Sequence, residues 1–118
     1  MEQLQLKKVD IIFGWDEKVT PIDVYDKTVK KSADAIILDM IDSGLKGRGG
    51  AGFPTGLKWK FTRNEDADTK YVICNADEGE PGTFKDREIL DRVPEKVFAG
   101  MAICGEYRDW ETDRKSVV

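Results

Sequence analysis

The 118-residue sequence contains no histidine and only two cysteines, Cys74 and Cys104, which form no CxxC pair. That leaves no ligand set for a structural zinc ion within the chain. No stretch approaches the roughly 18 apolar residues a membrane span needs. The N-terminus, MEQLQLKKVD, lacks the apolar segment of a signal peptide. A basic surplus is missing as well: 19 Lys and Arg stand against 23 Asp and Glu, for a formal net charge of −4. General nucleic-acid binding needs the opposite balance, because its affinity comes mainly from cations meeting phosphates. Internal repeats and low-complexity tracts are absent too. With 40 % hydrophobic residues, the expectation is a soluble, cytosolic, thiol-reduced chain with one modest core.

What is abundant is glycine in one place. Gly44, Gly47, Gly49, Gly50, Gly52 and Gly56 fall within thirteen positions, interleaved with Lys46, Arg48 and Lys58 and followed by Phe53, Trp59 and Phe61. Glycine serves where backbone takes positive φ or approaches a ligand closely, and it loses the most conformational entropy on folding. Packing alone is a poor reason for six so close together. Backbone N–H donors around a phosphate or a flat ring are a better one. Gly47 to Gly52 matches GxGxxG literally, but a dinucleotide site of the ordinary kind has those glycines after a strand and opening a helix. Here a helix precedes them and Pro54 is expected to interrupt the continuation. No Gly-Lys-Ser/Thr follows, so a Walker A loop is excluded also.

That preceding helix is expected over Ala33 to Ser43. Val29, Ala33, Ile36, Ile37, Met40 and Ile41 share one face, with Asp34, Asp39 and Asp42 opposite. Ser32 is the expected N-cap and Gly44 the expected left-handed residue after the last turn. Short strands are expected at Val9–Phe13 and Tyr71–Cys74, the second buried between turn residues. Thr20 to Asp23 reads as an extended or turn segment before and around Pro21. Leu57 to Phe61 alternates, Arg63 to Lys70 reads as a polar connection, and a small-residue helix is expected around VFAGMAI. Both cysteines are expected to be small buried hydrophobes.

The second unusual stretch is NADEGEPGTFKDRE, Asn75 to Glu88, directly after the Tyr71–Cys74 segment. Asp77, Glu78 and Glu80 crowd three carboxylates into four residues. They repel one another and are costly to bury unless cations or ligand hydroxyls meet them. Their spacing lacks the alternation of a calcium loop. Hydrogen bonds to sugar or ribityl hydroxyls and to ring N–H groups suit carboxylates and an Asn side chain. The plain alternative is a solvated acidic turn with Pro81-Gly82 at its corner.

GLKGRGGAGFPTGLKW together with YVICNADEGEPGTFKDREIL resembles the flavin- and NADH-binding subunit of respiratory complex I. The resemblance extends to the diaphorase subunits of NAD-linked hydrogenases and formate dehydrogenases. It covers roughly Val29 to Gly105. It implies an α/β fold, a partial Rossmann-like flavin- and nicotinamide-binding domain whose glycine loop follows a helix. It implies FMN and NAD(H) as cofactors. Gly47, Arg48, Gly49, Gly50, Ala51 and Gly52 would wrap the flavin phosphate and line the nicotinamide site. Phe53 would stack on the dinucleotide, with Phe61 offering a second face and Lys58 beside the flavin and pyrophosphate. Asn75, Asp77 and Glu78 would bind the isoalloxazine or ribityl group, and Glu80 the nicotinamide nucleotide. Hydride would pass from NADH to FMN, and electrons onward to iron–sulfur clusters, with no protein acid or nucleophile required.

Members of that family are several times longer, with a second flavin segment and a helical domain holding a 4Fe-4S cluster. Neither cysteine here matches the cluster ligands, so no metal ligand is assigned. The chain is therefore expected to be an N-terminal fragment: an N-terminal segment over 1–31, part of the FMN/NADH-binding domain over 32–105, and a foreign, non-matching tail over 106–118. Expected partners are NADH and the other subunits of an electron-transfer complex, including a 2Fe-2S ferredoxin-like subunit of thioredoxin fold. Through that complex the chain would sit peripherally on the cytoplasmic face of the inner membrane. A regulatory or sensing module that binds NAD(H) without turnover is the alternative. A third, looser kinship is to a membrane-associated electron-transport subunit with a related glycine loop and a ferredoxin partner.

Overall fold

The computed structural model describes residues 12–14 and 18–106. Five helices follow one another: α1 (Pro21–Thr28), α2 (Ala33–Asp42), α3 (Thr55–Asn64), α4 (Lys85–Arg92) and α5 (Pro94–Glu106). α2 packs on α3, while α5 packs on both α1 and α4. Among the described residues there is no β-strand, and the one β-bridge is an isolated antiparallel pair, Lys46 with Pro54. The tail expected to be foreign lies outside the described residues beyond Glu106.

α2 forms as its sequence dictates. The Ser32 Oγ accepts the Ala35 N–H at 3.2 Å and so meets one of the donors a helix start leaves unpaired. The last turn closes through the Ser43 N–H to the Asp39 carbonyl (2.9 Å), and Gly44 then turns left-handed with φ of +69°. Ile36 and Ile37 are buried, with 3 % and 5 % of their surface exposed, while Asp34, Asp39 and Asp42 are exposed opposite them. The α2–α3 contact is closest at Gly56. A Cβ there would come within 2.6 Å of the Ile41 nitrogen, so only a hydrogen fits where the helices cross. One of the six glycines is thus a packing residue. An ion pair from Arg63 to Asp34 ties the other end of the two helices.

Three expectations are corrected. Leu57–Phe61 is helical, because Pro54 stands at the N-cap of α3 (φ −60°, ψ 123°) and starts that helix rather than ending anything. Pro21 likewise opens α1 after an extended Thr20. There the Thr20 Oγ1 accepts the Asp23 N–H (3.1 Å) and the Asp23 Oδ2 accepts the Thr20 N–H (3.0 Å), a capping box with proline in the first turn. The Tyr71–Cys74 segment is neither a strand nor buried: Tyr71 is 71 % and Ile73 82 % exposed, and Cys74 is exposed too. No neighbouring strand among the described residues takes its backbone groups, and a strand is defined by that pairing. Cys104, by contrast, is half-buried in α5. The remaining expected strand, Val9–Phe13, lies mostly outside the described residues; Ile12 and Phe13 form a bend.

Candidate functional site

The glycine loop is a closed collar. The Gly47 N–H donates to the Phe53 carbonyl (3.0 Å) and the Thr55 N–H to the Leu45 carbonyl (2.9 Å), so residues 47–53 are pinched at the base between α2 and α3. Gly52 turns with φ of +72°, which a side chain rarely adopts. No described residue takes the backbone N–H groups of Arg48, Gly49, Gly50 or Ala51, and all four residues are exposed. A Cβ built on Gly49 or Gly50 would meet nothing within 4 Å. Bare backbone therefore faces open space at these two positions.

The loop runs directly into the N-terminus of α3, whose first N–H groups carry the positive end of the helix dipole. The motif thus does open a helix, with Pro54 as the hinge into it rather than a stop. Lys46, Arg48 and Lys58 are all exposed around it. Phe53 and Phe61 come together, with ring centroids 6.3 Å apart and planes tilted by 47°. They remain 47 % and 55 % exposed, so their ring faces are still accessible. Spare donors, local cations and exposed rings form a chemically coherent set for a phosphate-bearing, ring-containing cofactor such as FMN.

The acidic stretch has its own local order. The Asp77 N–H donates to Asn75 Oδ1 at 3.4 Å. Glu80 begins a tight turn in which the Thr83 N–H (3.3 Å) and Oγ1 (2.7 Å) both donate to the Glu80 carbonyl. Pro81 and Gly82 (φ +83°) occupy its corner, as that kind of turn requires. Asp77 and Glu80 are exposed; Glu78 is half-buried and bonded to the first turn of α4. No hydrogen bond, ion pair or ring contact among the described residues joins the loop to this stretch. The structure brings Gly47–Gly52, Phe53, Lys58 and Phe61 together around one element. It gathers Asn75, Asp77, Glu78 and Glu80 at another.

Sequence reasoning missed two contributors: the α3 N-terminus and the Gly56–Ile41 crossing that sets its angle. The signal for the first was present, since proline is favoured at a helix start. No local signal marks the second.

A glycine collar at a helix start and a separate acidic segment offer the donors and acceptors that a nucleotide cofactor's phosphates and hydroxyls take. The Nuo51 FMN-binding domain family matches residues 40–112, and the chain belongs to that family. Over 79 residues it is 58 % identical to the NAD-reducing hydrogenase HoxS subunit alpha of Cupriavidus necator, covering 67 % of this chain and 13 % of that one. Over 80 residues it is 51 % identical to the mitochondrial NADH dehydrogenase [ubiquinone] flavoprotein 1 of Dictyostelium discoideum, covering 65 % and 16 %. Over 79 residues it is 52 % identical to the mitochondrial NADH-ubiquinone oxidoreductase 51 kDa subunit of Neurospora crassa, covering 64 % and 16 %. The chain thus spans less than a fifth of the length of these relatives.

Proposed function

We propose that this chain is part of an NADH-oxidising flavoprotein subunit of a multi-subunit electron-transfer complex. FMN held by these residues would supply hydride acceptance from NADH and one-electron release to iron–sulfur clusters, chemistry that belongs to the cofactors. The carrying observation is the collar: four unengaged backbone N–H groups at residues 48–51, beside Lys46, Arg48 and Lys58.

Each group of residues has a task the chemistry supports. The N–H groups of the loop, Arg48 and Lys58 hold the flavin phosphate and the pyrophosphate. Gly49 and Gly50 let a ligand approach the backbone, and Gly52 makes the turn that closes the collar. Phe53 and Phe61 offer stacking faces to the dinucleotide. Asn75, Asp77 and Glu78 form a polar wall toward the isoalloxazine or ribityl group, and Glu80 faces the nicotinamide nucleotide.

The finer fold is a Rossmann-like sheet completed by the rest of a longer protein. Tyr71 and Ile73 are 71 % and 82 % exposed, apolar surface that the rest of such a fold would cover. The 4Fe-4S cluster and a ferredoxin-like 2Fe-2S partner belong to the same proposal. None of the described helices is long and apolar enough to cross a membrane, in keeping with a peripheral position in such a complex. NADH-dependent reduction of an artificial acceptor, with FMN supplied, separates turnover from a sensing module that only binds NAD(H).

A further inference from the structure

Glu78 is the one non-glycine residue with positive φ among the described residues, at +46°. A side chain in that region carries strain and persists only where surroundings hold it. Here the side chain itself supplies the hold. Its Oε2 accepts the Asp86 N–H at 2.7 Å and its Oε1 the Arg87 N–H at 3.4 Å. These are first-turn donors of α4, whose N-cap residue, Phe84, provides no side-chain acceptor. A carboxylate is the favoured partner at that end of the helix dipole. On the other side of Glu78 the Asp77 carboxylate lies over Gly79, where a Cβ would stand 2.9 Å from Asp77 Oδ2. An open cleft of ≈ 590 Å³ lies between Asp77–Glu78 and the Arg87–Asp91 side of α4.

We propose that the Glu78 carboxylate is a positioning group that ties the Asn75–Glu80 wall to α4. Its backbone strain and its two N–H contacts are two ends of one device. Removing the carboxylate frees the wall to relax out of the left-handed conformation and uncaps α4 in the same stroke. Why the wall's position matters rests on the flavin–nucleotide function proposed above; the tether does not.

The test reads the tether without any ligand, by amide hydrogen exchange and NMR on the 118-residue chain. Glu78→Ala is expected to speed exchange at Asp86 and Arg87 at least tenfold and to shift and broaden the Asp77 and Gly79 amide resonances. Glu78→Gln keeps one carbonyl acceptor, so it is expected to retain most of the Asp86 protection while moving that amide proton upfield. Adding Phe84→Ser to Glu78→Ala supplies a local cap. It is expected to restore slow exchange in α4 but not the Asp77 and Gly79 resonances. Unchanged exchange in Glu78→Ala overturns the proposal. So does full recovery of Asp77 and Gly79 by Phe84→Ser, which would make Glu78 a cap and nothing more. Neither result bears on whether FMN binds the loop, so the two claims fail separately.

Discussion

Gly56 in α3 lies against Ile41 in α2 so closely that a Cβ at Gly56 would stand 2.6 Å from the Ile41 nitrogen and 2.7 Å from its Cγ1. The contact fixes how α3, and with it the collar at its start, leaves α2. Gly56→Ala gains helix propensity but forces the helices apart, and overpacking of this kind costs about 1–3 kcal/mol. Chemical denaturation followed by circular dichroism is expected to show the lower midpoint. An unchanged midpoint would mean that the crossing is looser than the geometry.

Within the collar the glycines separate into two kinds. Gly52→Ala places a side chain at φ of +72° and is expected to lose about 1–2 kcal/mol of stability. Gly49→Ala meets nothing within 4 Å, so it is expected to leave stability unchanged or raise it by about 0.4–1 kcal/mol. If the collar holds the flavin as proposed, it should nevertheless weaken flavin binding, because a methyl group would then stand between backbone and ligand. Equal effects of the two substitutions on stability would contradict the separation.

The capping box of α1 contributes one acid-sensitive step. The Thr20 N–H, then the Thr20 hydroxyl, hold the Asp23 carboxyl below its usual value of 3.8. A lowered folded-state pKa contributes stability that is present above the unfolded value and lost as pH falls through the folded one. Helicity of α1 is therefore expected to fall only below about pH 3.8. Asp23→Asn should remove that step from the titration. A step that survives the substitution assigns it to other carboxylates.

The two thiols should react unequally. Burial pushes the Cys104 thiol up to about 11, whereas Cys74 is exposed at the end of the unpaired segment. The thiolate is the nucleophile. Iodoacetamide under mildly alkaline conditions is therefore expected to alkylate Cys74 at least tenfold faster than Cys104, as read by peptide mass spectrometry. Faster labelling of Cys104 would place it outside the α5 packing.

Much of the site was legible because its signals are local. The stripe of α2, Ser32 before it and Gly44 after it lie close together along the chain and act through neighbouring backbone. The Pro81-Gly82 corner is equally local. α3 was not legible as a helix because Pro54 was read as a stop, although a proline before a run of helix formers is also a start. α1 carries Thr-Pro-Ile-Asp, a capping-box pattern, and could have been found from it. Tyr71–Cys74 has the composition of a strand, but pairing is a property of two segments and no described segment pairs with it. The role of Glu78 toward α4 spans eight residues and a left-handed turn, and no sequence period announces it.

If residues 40–105 carry a working part of a flavin- and NADH-binding site, a chimera shows it most directly. This segment would replace its counterpart in the HoxS subunit alpha of Cupriavidus necator, to which the chain is 58 % identical over 79 residues. Bound FMN and NADH-dependent reduction of an artificial acceptor would be measured in the purified, folded chimera. Retained flavin and turnover, with flavin lost on Gly49→Ala, is the predicted result. A folded chimera that holds no FMN would contradict the claim.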